Sequence, residues 1–298
     1  MFILVIVFNA LASTGVLSPL DVGEISDKYP TFFTPASNAF SIWGLIYALH
    51  AAFIIYQWTP AGRADVRIDR GLSWLPAANY LFNASWIIAF VNEELVLSCI
   101  FMAALLFSLI WISNRAHLNY WPQSWQRWPE MPGVLAGAHG PRNWQFWLVA
   151  PAWSIYFGWI AVASIANVAL TCVAEIPSTR DPTAGNLAGS AYMQAIATVI
   201  AALMLNVKGD VFYASVLVWA TNWIAVEQVA YPRVVMAART CQLITGLLVA
   251  ATLIQLAVAH YRSRGDQEPF GPTKDVDSVE TGAGSRRRST RTRRSNRV

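Results

Sequence analysis

Three stretches of this chain repeat one arrangement: aromatic rings and a polar side chain spaced to share one face of a helix. In "FTPASNAFSIWGLIYALHAAFIIYQW" (33–58), Trp43, Tyr47 and His50 stand at i, i+4 and i+7. Further on, Asn79 and Asn83 are four apart, and Trp86 follows three later. In a third stretch, Tyr156, Trp159 and Ala163 fall at i, i+3 and i+7, with Asn167 at i+11. On α-helices each set forms a stripe. Rings of this kind stack on a flat, apolar molecule, while amides and an imidazole fix its orientation. The same residues also suit plain packing, because Asn bridges neighbouring helices and Trp and Tyr favour membrane interfaces. His50 reads as a hydrogen-bonded packing residue, or as a ligand to iron if a haem entered from its side. No metal-binding set accompanies it. Cys99, Cys172 and Cys241 are odd in number and widely spaced, which fits three small apolar residues better than a metal or redox site.

The elements that must carry these stripes are membrane helices. The chain has 298 residues, 55% of them hydrophobic and 13% charged. A soluble domain carries about 25% charged residues, and here the apolar residues fall in long blocks. Eight blocks approach the ~20 residues a spanning helix needs: 2–18, 38–58, 74–92, 94–113, 146–171, 187–206, 211–230 and 234–260. No barrel-like alternation occurs, so an all-α, polytopic bundle of about eight transmembrane helices is expected. The first block reads as a helix that is complete or slightly clipped at its start, rather than as a cleaved signal. Thr34-Pro35 marks a loop ahead of the second span, since the residue before a proline disfavours helix.

Charge sorts the loops into two alternating sets. Arg63, Arg67 and Arg70, then Arg115, Arg127 and Arg142, then Lys208, and finally the tail after Tyr261 make one basic set. The segments between are acidic or balanced, down to the corner from Glu227 to Arg233. The positive-inside rule then places both termini in the cytoplasm. Seven arginines sit between Arg286 and Arg297, and without them the net charge of +4 turns negative. The high charge therefore belongs to the tail, and the body has no nucleic-acid character. Residues 262–298 lack apolar content and read as a disordered basic tail. It serves either as a topology anchor or as a patch on anionic lipid headgroups. The Trp-rich, Pro-rich segment 114–145, with Trp121, Trp125, Trp128 and Trp144, reads as a headgroup-level loop. No phosphate-binding loop, dinucleotide fingerprint, nucleophile elbow or zinc-protease helix is present.

On "TPASNAFSIWGLIY", on Asn83 and Trp86, and on "YFGWIAVASIAN", the chain resembles the translocator-protein family, the tryptophan-rich sensory proteins (TspO/MBR). The matching positions are Pro35, Trp43 and Tyr47, then Asn83 and Trp86 with Asn79 where the family has Gln, then Tyr156, Trp159 and Asn167. The resemblance covers roughly residues 1–172 and looks close to a longer branch with extra helices. It implies a five-helix bundle in 1–172, an additional three-helix membrane region in 173–261, and the tail from 262. It also implies a receptor, sensor or carrier that binds a porphyrin or another flat hydrophobic ligand, haem included, in an intramembrane pocket. Trp43, Tyr47, His50, Asn79, Asn83, Trp86, Tyr156, Trp159 and Asn167 would line or brace that pocket. The family tends to dimerise, although no GxxxG stands in these spans to support a homodimer.

Two other readings stay open. Glu227 near the end of the seventh span permits a small-solute secondary transporter, against which no clear internal repeat is visible. A tetrapyrrole-modifying enzyme is the other. No nucleophile–base pair marks a hydrolase, and some family members have been proposed to degrade porphyrins.

Overall fold

Within hydrocarbon no water pairs the backbone N–H and C=O groups, so a spanning chain must satisfy them inside each segment. The computed structural model describes residues 1–120, 143–181 and 183–265, and among them every regular element is helical. The helices are α1 (Phe2–Ser13), α2 (Val22–Lys28), α3 (Ile42–Trp58), α4 (Pro60–Arg63), α5 (Leu75–Val91), α6 (Leu95–Tyr120), α7 (Asn143–Glu175), α8 (Ala184–Lys208), α9 (Val211–Glu227) and α10 (Pro232–Gly265). Apart from the short α2 and α4, they answer the eight expected spans one for one. Five are long and apolar enough to cross a membrane: α3 with its leading turn, α6, α7, α8 and α10. The other three, α1, α5 and α9, are shorter apolar helices. With 12 residues, α1 runs about 18 Å against a hydrocarbon core of ~30 Å.

Local chemistry sets the ends. Pro35 stops helix before it, and a 3₁₀ turn, Ser37–Ser41, leads into α3. Asp21 caps α2 in a reciprocal box with Glu24, each side chain accepting the other's backbone N–H at 2.8 Å. Gly209 closes α8 in the left-handed region, at φ +65°, and Asp210 immediately caps α9 by accepting from the Tyr213 N–H at 3.0 Å.

Two groups of helices result. α5 packs against α1 and α6, α6 against α7, and α7 against α3. α8, α9 and α10 pack on one another, and α9 joins them to the first group by lying along α7. Gly158 permits that approach: a Cβ there would meet the Tyr213 carbonyl oxygen at 2.9 Å and the Val216 side chain at 3.0 Å. Ser154 locks the contact by donating to the buried Asp210 carboxylate at 2.8 Å.

The boundaries differ from expectation in three informative places. α1 ends at Ser13 rather than 18. α6 continues through Tyr120, into a stretch expected to be loop, because its polar last turns have partners: Arg115 donates to the Gly71 carbonyl at 2.8 Å. α10 runs through Gly265, past the expected start of the tail at 262. The rest of the tail, together with Trp121, Trp125, Trp128 and the side chain of Trp144, lies outside the described residues.

At the arginine-bearing end, the loop cation Arg67 is buried, not free. Arg67 and Asp65 are each 7% exposed. The guanidinium donates to both Asp65 oxygens, at 2.7 and 2.8 Å, and to Gln145 at 2.7 Å. Tyr56 and Tyr120 donate to the same carboxylate at 2.8 and 3.2 Å. Arg67 also lies over the Tyr120 ring, 4.5 Å from its centroid. One ion pair thus ties together the end of α3, the following turn, the end of α6 and the start of α7. Burial alone would raise the Asp65 carboxyl, but the hydrogen bonds from Arg67 and Tyr56 outweigh it and hold the group below its ordinary value of 3.8. The stability that this depressed group supplies is present above that value and is lost as pH falls through the lower, folded one.

Asp65→Ala leaves the Arg67 charge buried without its partner, and is expected to cost about 3–5 kcal/mol. The double change Asp65→Leu, Arg67→Met is expected to cost less than the single one. Thermal unfolding of the detergent-solubilised chain, followed by circular dichroism, compares the two; equal losses would show that the pair itself is not what holds this end.

Candidate ligand-binding site

The stripes of α3, α5 and α7 converge at the opposite end of the bundle, under α2 and the loop 29–36. Trp43 stacks on Tyr47 with ring centroids 5.4 Å apart. From α7, Tyr156 stands 5.9 Å and Trp159 6.4 Å from Trp43. Phe40 meets Trp159 edge-on at 5.8 Å.

Three adjoining hollows share Trp43 as a wall. One of about 50 Å³ lies between α2, Thr34-Pro35, α3, α5 and α7, where Phe40, Trp86, Phe90, Trp159 and Asn167 face it. A groove of about 360 Å³ opens between α1, α2, α3 and α5, past Asn9, Tyr47 and Trp86. Deeper in, a chamber of about 10 Å³ is walled by Phe2, Tyr47, His50, Tyr80 and Tyr156. The groove falls in the range of small-molecule sites, roughly 300–1,000 Å³.

The amides hold the walls. Asn83 donates to the Tyr156 hydroxyl at 2.9 Å and accepts from Asn9 at 3.2 Å, joining α1, α5 and α7. Trp86 donates through Nε1 to Asn167 at 3.3 Å, and Asn167 donates to Ser98 at 3.0 Å, joining α5, α7 and α6. Asn79 is placed elsewhere. It donates to Ser108 at 2.8 Å in the α5–α6 interface and lines none of these hollows. His50, 1% exposed, sits at the sealed end of the site, its ring edge-on to Trp153 at 4.7 Å and to Tyr156 at 5.2 Å. Glu227 is exposed at the end of α9 and lines none of the hollows either.

Several site residues escaped the sequence reading. Trp153 stands three before Tyr156 and so continues a stripe already in view; extending the stripe one turn backward would have found it. Asn9 was visible as the sole amide in the first apolar block. Phe40 stands three before Trp43, one residue off the place where the short family members carry an aromatic, and Phe90 gave no signal, since an isolated phenylalanine is ordinary in a membrane helix.

The sequence model of the TSPO-like protein family matches residues 1–254. The chain belongs to that family. Comparisons with curated proteins and with solved structures gave no significant match. With its apolar helices, the TSPO-like chain is an integral membrane protein of the TspO type. The match continues beyond 172 and takes in α8, α9 and most of α10.

Those helices bear directly on the candidate site of this TSPO-like chain, because they grip the loop that roofs it. Gln228 donates to the Thr31 and Thr34 carbonyls at 3.0 and 3.2 Å. Ser190 donates to the Phe32 carbonyl at 2.5 Å. The Ala36 N–H donates to the Trp223 carbonyl at 3.1 Å, and Trp219 donates to the Ala39 carbonyl at 3.1 Å. On its other side the roof is tethered by Glu93, in the turn between α5 and α6, which accepts from Lys28 and from the Tyr29 hydroxyl. The Lys28 hydrogen bond, then that of Tyr29, holds the Glu93 carboxyl below its ordinary value of 4.5. The tether is therefore complete at neutral pH and is lost as pH falls through that lowered value.

Gln228→Ala strands two loop carbonyls at a buried position and is expected to lower stability by about 1–3 kcal/mol, read as a fall in melting temperature. Glu93→Gln acts on an exposed pair, so its effect on stability is below about 1 kcal/mol. It is expected instead to speed protease cleavage within 19–37 at neutral pH to the rate that the unaltered chain reaches only in acid. An unchanged cleavage rate would remove Glu93 as a tether.

Proposed function

We propose that this TSPO-like membrane protein is a receptor, sensor or carrier that takes a flat hydrophobic ligand, such as a porphyrin, into the groove between α1, α2, α3 and α5, beside the hollow that α7 walls. The observation that carries this reading is the convergence of Trp43, Tyr47, Trp86 and Trp159, from three helices, on adjoining hollows. Trp43 and Trp86 wall both the groove and the hollow beneath α2, so a planar ligand lying in the groove has ring faces along its length. Asn83 and Asn167 act by holding Tyr156 and Trp86 in place, because their amides are already engaged with those side chains. The aromatic mouth lies at the end away from the arginine-bearing turns. With the basic end in the cytoplasm, both termini are cytoplasmic and the groove is loaded from the opposite leaflet.

Titration of the purified chain with protoporphyrin is expected to quench tryptophan fluorescence saturably at micromolar ligand. Trp86→Ala and Trp159→Ala are each expected to weaken binding roughly tenfold or more, as for loss of a buried aromatic anchor. Quenching that never saturates would overturn the proposal. Saturable quenching that both variants retain at full affinity would move the site elsewhere.

A further inference from the structure

The deep chamber differs from the rest of the site in its chemistry. Three polar atoms at its walls, the Tyr47 and Tyr80 hydroxyls and His50 Nε2, are buried and have no hydrogen-bond partner among the described residues. Buried polar groups in folded proteins are nearly always paired, because a bare one costs about 1–3 kcal/mol. Three around one hollow mark a place built for something that bonds to all of them.

His50 sets what that something is. Its Nδ1 lies 2.8 Å from the Ile46 carbonyl oxygen. A carbonyl only accepts, so Nδ1 carries a proton and donates. The rings around the imidazole are Phe2, Tyr80, Trp153 and Tyr156, with no carboxylate among them. An imidazolium there would be a buried cation without a counter-charge, so the ring is neutral. Nε2 is then a lone-pair acceptor on a chamber that Tyr47 and Tyr80 also line, each with a hydroxyl able to donate or accept.

We propose that this chamber is a hydroxyl socket: it takes the O–H of an apolar alcohol or phenol whose body lies in the groove. The O–H donates to His50 Nε2, and its two lone pairs accept from Tyr47 and Tyr80. A bare carbonyl would leave Nε2 unpaired. A carboxylate would bring a charge with no cation to meet it. The chamber's volume of about 10 Å³ is close to that of one water-sized sphere, so it admits a single oxygen and not a carboxyl group. Tyr47 and Trp43 wall both the groove and the chamber, which gives the hydroxyl its way in. The inference rests on the reading that the groove binds a flat apolar ligand, and it adds the functional group that such a ligand carries.

The test compares pyrene with 1-hydroxypyrene, which differ by one hydroxyl, by energy transfer from tryptophan in the full-length, detergent-solubilised chain. The hydroxylated probe is expected to bind roughly tenfold more tightly, as one or two buried hydrogen bonds would give. His50→Phe should bring the affinity ratio down toward one. Tyr80→Phe, which removes a single oxygen, should lower the ratio as well, and it carries the test if His50→Phe does not fold. Equal binding of both probes by the unaltered chain, as when a retained water fills the chamber, overturns the socket and leaves the groove reading standing. A preference that survives in both variants also overturns it. Failure of the unaltered chain to bind either probe overturns the groove reading together with the socket.

Discussion

A polar group left unpaired in hydrocarbon is costly, and that single constraint arranges this molecule. The helices carry a few polar side chains, and many of these meet a partner on a neighbour. Asn79 meets Ser108, Asn83 meets Tyr156, Asn167 meets Ser98 and Trp86, and Asp210 meets Ser154. Such bonds average only about 0.6 kcal/mol apiece in membranes. Their larger effect is on register: turn or slide one helix and several donors lose their acceptors together. Apolar packing alone has no such preference, since lipid tails are as apolar as the helices.

The two ends of the bundle resolve the constraint differently. At the arginine-bearing end the ion pair Asp65–Arg67 gathers Tyr56, Tyr120 and Gln145 into a closed cluster. At the other end the Trp43, Tyr47, Trp86 and Trp159 rings wall a groove and two smaller hollows. Among the described residues, the unpaired Tyr47, Tyr80 and His50 atoms meet as a set only at the deepest of these.

The helices after 184 belong to the site although none of their side chains lines its groove. The roof loop 29–36 has little secondary structure, so its backbone groups need partners from elsewhere. Gln228, Ser190 and the Trp223 carbonyl provide them. The site is accordingly built by two groups of helices, one for the walls and one for the roof, joined along α7 and α9 where Gly158 lets them touch.

By itself the sequence determined the helical class, the eight apolar segments, the loop at Thr34-Pro35 and the aromatic stripes of α3 and α7, because each depends on neighbours within a few turns of the same chain. Spacing of 3.6 residues per turn puts Trp43, Tyr47 and His50 on one face wherever the helix lies. Tertiary structure alone decided which faces meet. Asn79 shares a stripe with Asn83 and Trp86 in the sequence, yet it turns to Ser108 on α6, because a helical face is wide enough to touch two neighbours. Arg67 looks like a free loop cation until Tyr120 and Gln145, from distant parts of the chain, close around it and its neighbour Asp65. Gln228 gives no hint that its partners lie nearly 200 residues earlier. The three unpaired atoms around the deep chamber exist only as a set in space. Partnership between distant segments depends on how helices pack, and no local pattern records that.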